Sequence, residues 1–181
     1  MGSSRERTEY TTGSWSTEEE SARAFDLLIS ELGMFRVFHE VTGTLTQPRA
    51  GQRERSLRID RVLVPLATLR DRGWKHGAVG VEIKKSGISI GPPLAQALDY
   101  VRGSWQIGGL WLQLGAVFLW PTAKQSGPIA SLMIHSRVGT AGFGGSDHLK
   151  LAMGEEVLIA NSAYGGIRIG TTESGRGAGS R

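Results

Sequence analysis

Cysteine is missing from all 181 residues. Disulfides, cysteine nucleophiles, zinc ribbons and iron–sulfur clusters held by the chain's own thiolates are therefore excluded, and the lack fits a reducing compartment. Long apolar runs are missing too. A membrane-spanning helix needs ~18 or more consecutive apolar residues, and the longest apolar stretch, Ile107 to Pro121, is broken by Gln113 and by glycines. Residues 1–16 are polar and carry no apolar signal-peptide segment, so a cytoplasmic protein with no membrane partner is expected. Histidines are scattered, at His39, His76, His135 and His148, with no H-x-H or H-x-x-x-H spacing, which argues against a histidine-built metal centre. The glycine-rich stretch Gly139 to Gly145 lacks the G-K-[ST] ending of a phosphate loop. Ser136, Ser146 and Asp147 stand in no G-x-S-x-G context, so serine hydrolysis is set aside as well.

What remains is a chain that is 39% hydrophobic, enough for a core, with a net charge of +4. That charge is compatible with a polyanion partner and equally with a soluble protein that happens to be basic. The length suits one domain with tails: a flexible segment over 1–15, a domain over 16–169, and a low-complexity, disordered tail over 170–181.

Ser16 or Thr17, followed three residues later by Glu19 or Glu20, predicts a capping box, and Ala22, Phe25, Leu28, Ile29 and Leu32 follow at helical spacing up to Gly33. Strands are expected at Met34 to Leu45, Leu57 to Val64 and Ala78 to Ser86, with a short helix or loop at Leu66 to Gly73. Pro92 to Val101 reads as a second helix and Leu110 to Trp120 as a fourth strand. Beyond Pro121 the pattern weakens. Ile129 to His135 and Glu156 to Ala160 read as short strands, and Gly139 to Gly145 as a loop. The expected fold is α/β, a core in the order α-β-β-β-α-β over 16–121 with a central mixed sheet flanked by helices, and a β-rich extension over 122–169.

The third strand carries the unusual chemistry. Alternation puts Val79, Val81 and Ile83 on one face and Gly80, Glu82 and Lys84 on the other. In the second strand Asp60 interrupts an apolar run, where a carboxylate is costly unless paired or bound to a metal. If the strands are neighbours, Asp60 approaches Glu82, and a divalent cation between them removes their repulsion. Magnesium favours one or two carboxylates with waters and phosphate oxygens, and a nearby lysine suits charge developing at phosphorus. An ordinary salt bridge from Glu82 to Lys84 or Lys85 on a solvated strand also fits these letters.

Asp60 in "LRIDRVLVP", Glu82 and Lys84 in "VGVEIKKSG", and the element order around them resemble the PD-(D/E)XK nuclease superfamily over roughly residues 16–121. The residue before Asp60 is Ile rather than Pro, a departure that removes no ligand. Gln96 and Tyr100 in "LAQALDYVRG" match the Q-x-x-x-Y pattern of RecB-like nucleases and phage exonucleases, and share a helix face. Glu18, on the stripe of Phe25 and Leu28, matches the first-helix glutamate of Holliday junction resolvases, with Glu20 in reserve. The resemblance implies a restriction-endonuclease-like fold and a Mg²⁺- or Mn²⁺-dependent DNA nuclease of repair, recombination, or phage or mobile-element DNA. It implies Asp60, Glu82, the Ile83 carbonyl and Glu18 at the metal, Lys84 at the attacking water, and Gln96 and Tyr100 in support. A homodimer is implied as well.

Basic residues flank Asp60 in sequence. Arg58, Arg61, Lys75, Lys85 and Arg102 are the candidate DNA contacts, since phosphate contacts supply most sequence-independent affinity. Trp105, Trp111 and Trp120 serve either as core or as stacking platforms, and Glu40 either backs the site or faces solvent. The competing expectation is a non-catalytic nucleic-acid-binding module on the same fold.

Overall fold

Thr17 begins the first helix, α1 (Glu18–Leu32), by accepting the Glu20 N–H, while the Glu20 carboxylate accepts the Thr17 N–H; Gly33, at φ 63°, closes the other end in the left-handed conformation. The computed structural model describes residues 14–122, 125–144, 147–162 and 166–172. The expectations of a flexible segment over 1–13 and a disordered tail over 173–181 lie outside the described residues.

After α1 come β1 (Phe35–Leu45), β2 (Ser56–Pro65), the short α2 (Ala67–Asp71), β3 (Val79–Ile83) and α3 (Gly91–Tyr100). They are followed by β4 (Gly103–Ile107), β5 (Leu110–Leu112), β6 (Ala116–Trp120) and α4 (Gly127–His135). The described chain ends with β7 (Val138–Gly144), β8 (Asp147–Met153), β9 (Glu156–Ser162) and β10 (Gly166–Thr172).

All these strands join one mixed sheet in the order β10-β9-β8-β7-β6-β3-β2-β1-β4-β5. β1, β2 and β3 run antiparallel in succession, and β6 and β7 then continue parallel to β3. The protein is thus α/β with a large mixed sheet and few helices, and richer in strands than expected. No helix among the described residues is long and apolar enough to cross a membrane.

Each face of the sheet has its own core. Phe25, Leu28, Ile29 and Leu32 of α1 pack on Val79, Val81, Ile83, Phe118 and Trp120. Leu94, Ala97 and Tyr100 of α3 pack on Ile59, Val62, Val117 and Leu119 on the other side. The period-2 alternation of β3 and β6 therefore sorts their side chains between two helices.

Several expectations are corrected. Residues 129–135 form helix α4, not a strand; Pro128 sits in its first turn, and a short apolar run does not distinguish the two by periodicity. The expected fourth strand is two pieces, β5 and β6, and β4 before it was not expected. Gly108 and Gly109, at φ 56° and 81°, make a two-residue hairpin turn between β4 and β5, and β6 starts only after Gly115. Residues 139–144 of the expected loop lie in β7; a Cβ at Gly139 would strike the Phe118 ring and the Ala152 carbonyl, so glycine there marks a close approach of strands. Residues 170–172 belong to β10 rather than to a disordered tail. Trp15, expected in the flexible segment, is 4% exposed and packs on Trp120 and Phe143 at centroid distances of 5.1 and 5.6 Å.

Candidate functional site

The alternation of β1 and β2 breaks where they lie opposite each other. Ile59 and Val62 both face the α3 core although they are three apart, and Glu40 of β1 has φ 50°. Cross-strand pairing still runs through this point, from His39–Arg61 to Val41–Ile59. Pairing between β2 and β3, in contrast, stops at Arg61–Val81. The Ile83 N–H has lost its ladder partner there, and a buried donor needs an acceptor. Asp60 Oδ2 accepts it at 2.6 Å. The sheet opens at this place, and the Asp60 carboxylate stands in the opening.

Glu82 and Lys84 lie on the far side of that opening. Lys84 Nζ is 2.6 Å from Glu82 Oε1 and 3.7 Å from Glu18 Oε1 of α1. The Lys84 main chain is clamped twice: its N–H donates to the Trp120 carbonyl at 2.8 Å, and its carbonyl accepts from Ser21 Oγ at 2.7 Å. Tyr100 of α3 donates its hydroxyl to the Glu82 carboxylate. Glu82 is 2% exposed.

Burial, then the charge of Asp60, push the Glu82 carboxyl up to about 7, although Lys84 and Tyr100 pull the other way. Burial also raises Asp60, against the Ile83 N–H and Lys84. At Lys84 burial opposes the charge, but the hydrogen bond and charge of Glu82, with Glu18 and Asp60, outweigh it and leave the ammonium more firmly protonated. Burial, then the charges of Glu82 and Asp60, raise the Tyr100 phenol, which stays a donor.

Glu82 and Lys84 open onto a cleft of about 300 Å³. Lys85 and Gln125 add polar groups to its wall, and Ile88, Pro93 and Trp120 add apolar ones. Asp60 stands beside Glu82, behind this wall.

The other candidates are distributed unevenly. Gln96 is exposed on α3, and none of the described hydrogen bonds ties it to the cluster. Arg61 is corrected as a DNA contact: it is 7% exposed and holds Asp26 of α1 through two bonds of 2.8 Å, so it is a brace between β2 and α1. Lys75 is exposed but precedes β3, whose far end carries the cluster ~13 Å away by strand rise, so it is not on the rim. Arg102 belongs to a different cleft, of about 460 Å³, shared with Arg49, His135 and Arg137. Lys85 lines the site, and Arg58 pairs with Glu40 at 2.9 Å. Glu20 is spent on the helix cap.

Ser21 was not anticipated. Its signal was a serine at 0% exposure within the apolar stripe of α1, where a hydroxyl needs a partner. It also joins the cluster to Trp120, whose indole N–H donates to the Ser21 carbonyl at 3.1 Å.

Two hard carboxylate groups, Glu82 on the wall of the cleft and Asp60 beside it, the first with proton affinity raised by burial and then by the charge of the second, form a donor set that suits Mg²⁺ or Mn²⁺. No three His, Asp or Glu groups converge among the described residues, so water and phosphate oxygens would complete such a shell. No protein-family model, curated protein or solved structure matches the chain.

Proposed function

We propose that the chain is a metal-dependent deoxyribonuclease of the PD-(D/E)XK type, with α1-β1-β2-β3-α3-β6 as its restriction-endonuclease-like core. The observation that carries this reading is the convergence of Asp60, Glu82 and Lys84 where β2 and β3 part. An ordinary surface salt bridge requires neither a second, half-buried carboxylate nor an opened sheet.

Asp60 and Glu82 would hold the ion, with Glu18 near the lysine on the outer side. A bound Mg²⁺ or Mn²⁺ supplies a Lewis acid for the phosphoryl group and acidifies a water. Lys84 is held charged, so its role is to orient the attacking water and balance charge at phosphorus rather than to remove a proton. Tyr100 positions Glu82, and Ser21 positions Lys84.

A second reading, a nucleic-acid-binding module without catalysis, has its own support. Lys84 and Tyr100 give Glu82 hydrogen-bond partners, and the Ile83 N–H gives Asp60 one, as a purely structural network would. Cleavage of labelled single-stranded, duplex and four-way-junction DNA in Mg²⁺ or Mn²⁺ separates the two. The nuclease reading expects cleavage by the wild type that falls at least ~100-fold in Lys84→Ala and Asp60→Ala, with circular dichroism unchanged. Binding without cleavage in any metal would select the module instead.

A further inference from the structure

β1, β2, β4 and β5 form one end of the sheet, and away from α1 only one face of that end is covered. Val41, Leu45, Leu57, Ile59 and Trp105 are buried in the core beneath α3. Toward the α1 end the other face is covered as well, since Phe35, Val37 and Leu63 join the α1 core, but the alternate residues Thr42, Thr44, Ser56, Arg58, Ser104, Gln106 and Trp111 belong to neither core. Thr42, Arg58, Gln106 and Trp111 are all exposed, Trp111 at 58%.

The pairing register puts these four in one line. Thr42 pairs with Arg58, and Gln106 with Trp111. The Thr44–Ser104 pairing of β1 with β4, extended by two residues, sets Thr42 beside Gln106. Three strand spacings make the row about 14 Å long. A second polar row, Ser56, Thr44 and Ser104, lies beside it.

A guanidinium, a hydroxyl and an amide in line with an exposed indole match the parts of a nucleic-acid strand. The first three suit phosphate and sugar oxygens. The indole offers a stacking surface, which only an unpaired base can use fully. The turn between β1 and β2 adds Arg53, which is exposed, so Arg53 and Arg58 offer positive charge to a polyanion. At its β2 end the row comes near the gap that holds Asp60: Arg58 pairs with Glu40, and Glu40 is among the charges that act on Asp60. The Arg58–Glu40 pair has side chains 71% and 50% exposed, and such a pair yields readily to a phosphate.

We propose that this uncovered face binds single-stranded DNA and leads it toward the gap in the sheet where Asp60 stands, with Trp111 stacking on a base and Arg58 contacting the backbone. As a substrate path it rests on the nuclease reading; as a binding surface it is tested without it.

The test is fluorescence anisotropy of labelled oligo(dT) with the full chain in EDTA, which keeps metal-dependent hydrolysis out of the measurement. Trp111→Ala should weaken binding about 10-fold or more, and Trp111→Phe should keep most of it. Arg58→Gln should weaken binding and lower the salt slope by about 0.7. Unchanged affinity in both Trp111→Ala and Arg58→Gln would overturn the proposal, as would a duplex or an oligo(U) of equal length bound more tightly than oligo(dT). If affinity is unchanged yet Lys84→Ala still abolishes cleavage, the nuclease reading stands without this face. If Trp111 carries binding and no metal gives cleavage, the face stands and the nuclease reading falls.

Discussion

Glu82 is the residue on which the electrostatics turn. Its carboxyl ordinarily titrates at 4.5 and is raised to about 7 here. The folded chain therefore keeps a proton that the unfolded chain releases. That contribution to stability is complete below pH ~4.5 and is lost as the pH rises through 7. It amounts to about 3 kcal/mol at most. In EDTA, Glu82→Gln should therefore gain stability relative to the wild type between pH 5 and pH 8, read as the difference in urea midpoints. A difference that stays flat over this range would show that Glu82 is already ionised at pH 5. The side-by-side placement of Glu82 and Lys84 was legible from strand alternation, and the place of Tyr100 from its helix. The bond from Ile83 to Asp60 was not, because it depends on where β2 and β3 cease to pair, which no local pattern encodes. Ser21 was half legible, as a polar group in an apolar stripe without a visible partner.

Glycines explain most of what the sequence hid among the elements. The pair Gly108-Gly109 turns an unexpected strand, β4, back onto β5, and Gly139 and Gly142 belong to a strand in the middle of the sheet rather than to a loop. Gly115 is the extreme case. It precedes β6, its N–H donates to the Ala78 carbonyl at 2.8 Å, and a Cβ there would collide with the backbone carbonyl of His76. Gly115→Ala should destabilise the fold by about 1–3 kcal/mol, since backbone has to move to admit the methyl group. Equal midpoints for variant and wild type in urea denaturation would show that the approach is looser than described. By contrast, α1 was legible at both ends, because Thr17, Glu20 and Gly33 are local signals that no distant contact needs to complete.

At the scale of the whole molecule, the sheet does two things. Its centre, between α1 and α3, is packed on both faces and makes a rigid seat for β3 and β6. Its gap between β2 and β3 admits charged groups that a continuous ladder would exclude. The expected core order is present in the chain with the β4–β5 hairpin inserted before β6, but the sheet runs on through β7 to β10 and is one layer rather than a core with an appendage. The sequence beyond Pro121 concealed this continuation because β7 and β10 carry glycines and the four strands pair mainly with one another. The central claim is that Asp60 and Glu82 form a cation site and not merely a network of hydrogen bonds. A crystal soaked in Mn²⁺ and measured at the manganese absorption edge tests it most directly. The account predicts an anomalous peak between the two carboxylates that disappears in Asp60→Ala. A clean map there, with Lys84 still on Glu82 and manganese bound elsewhere, would contradict it.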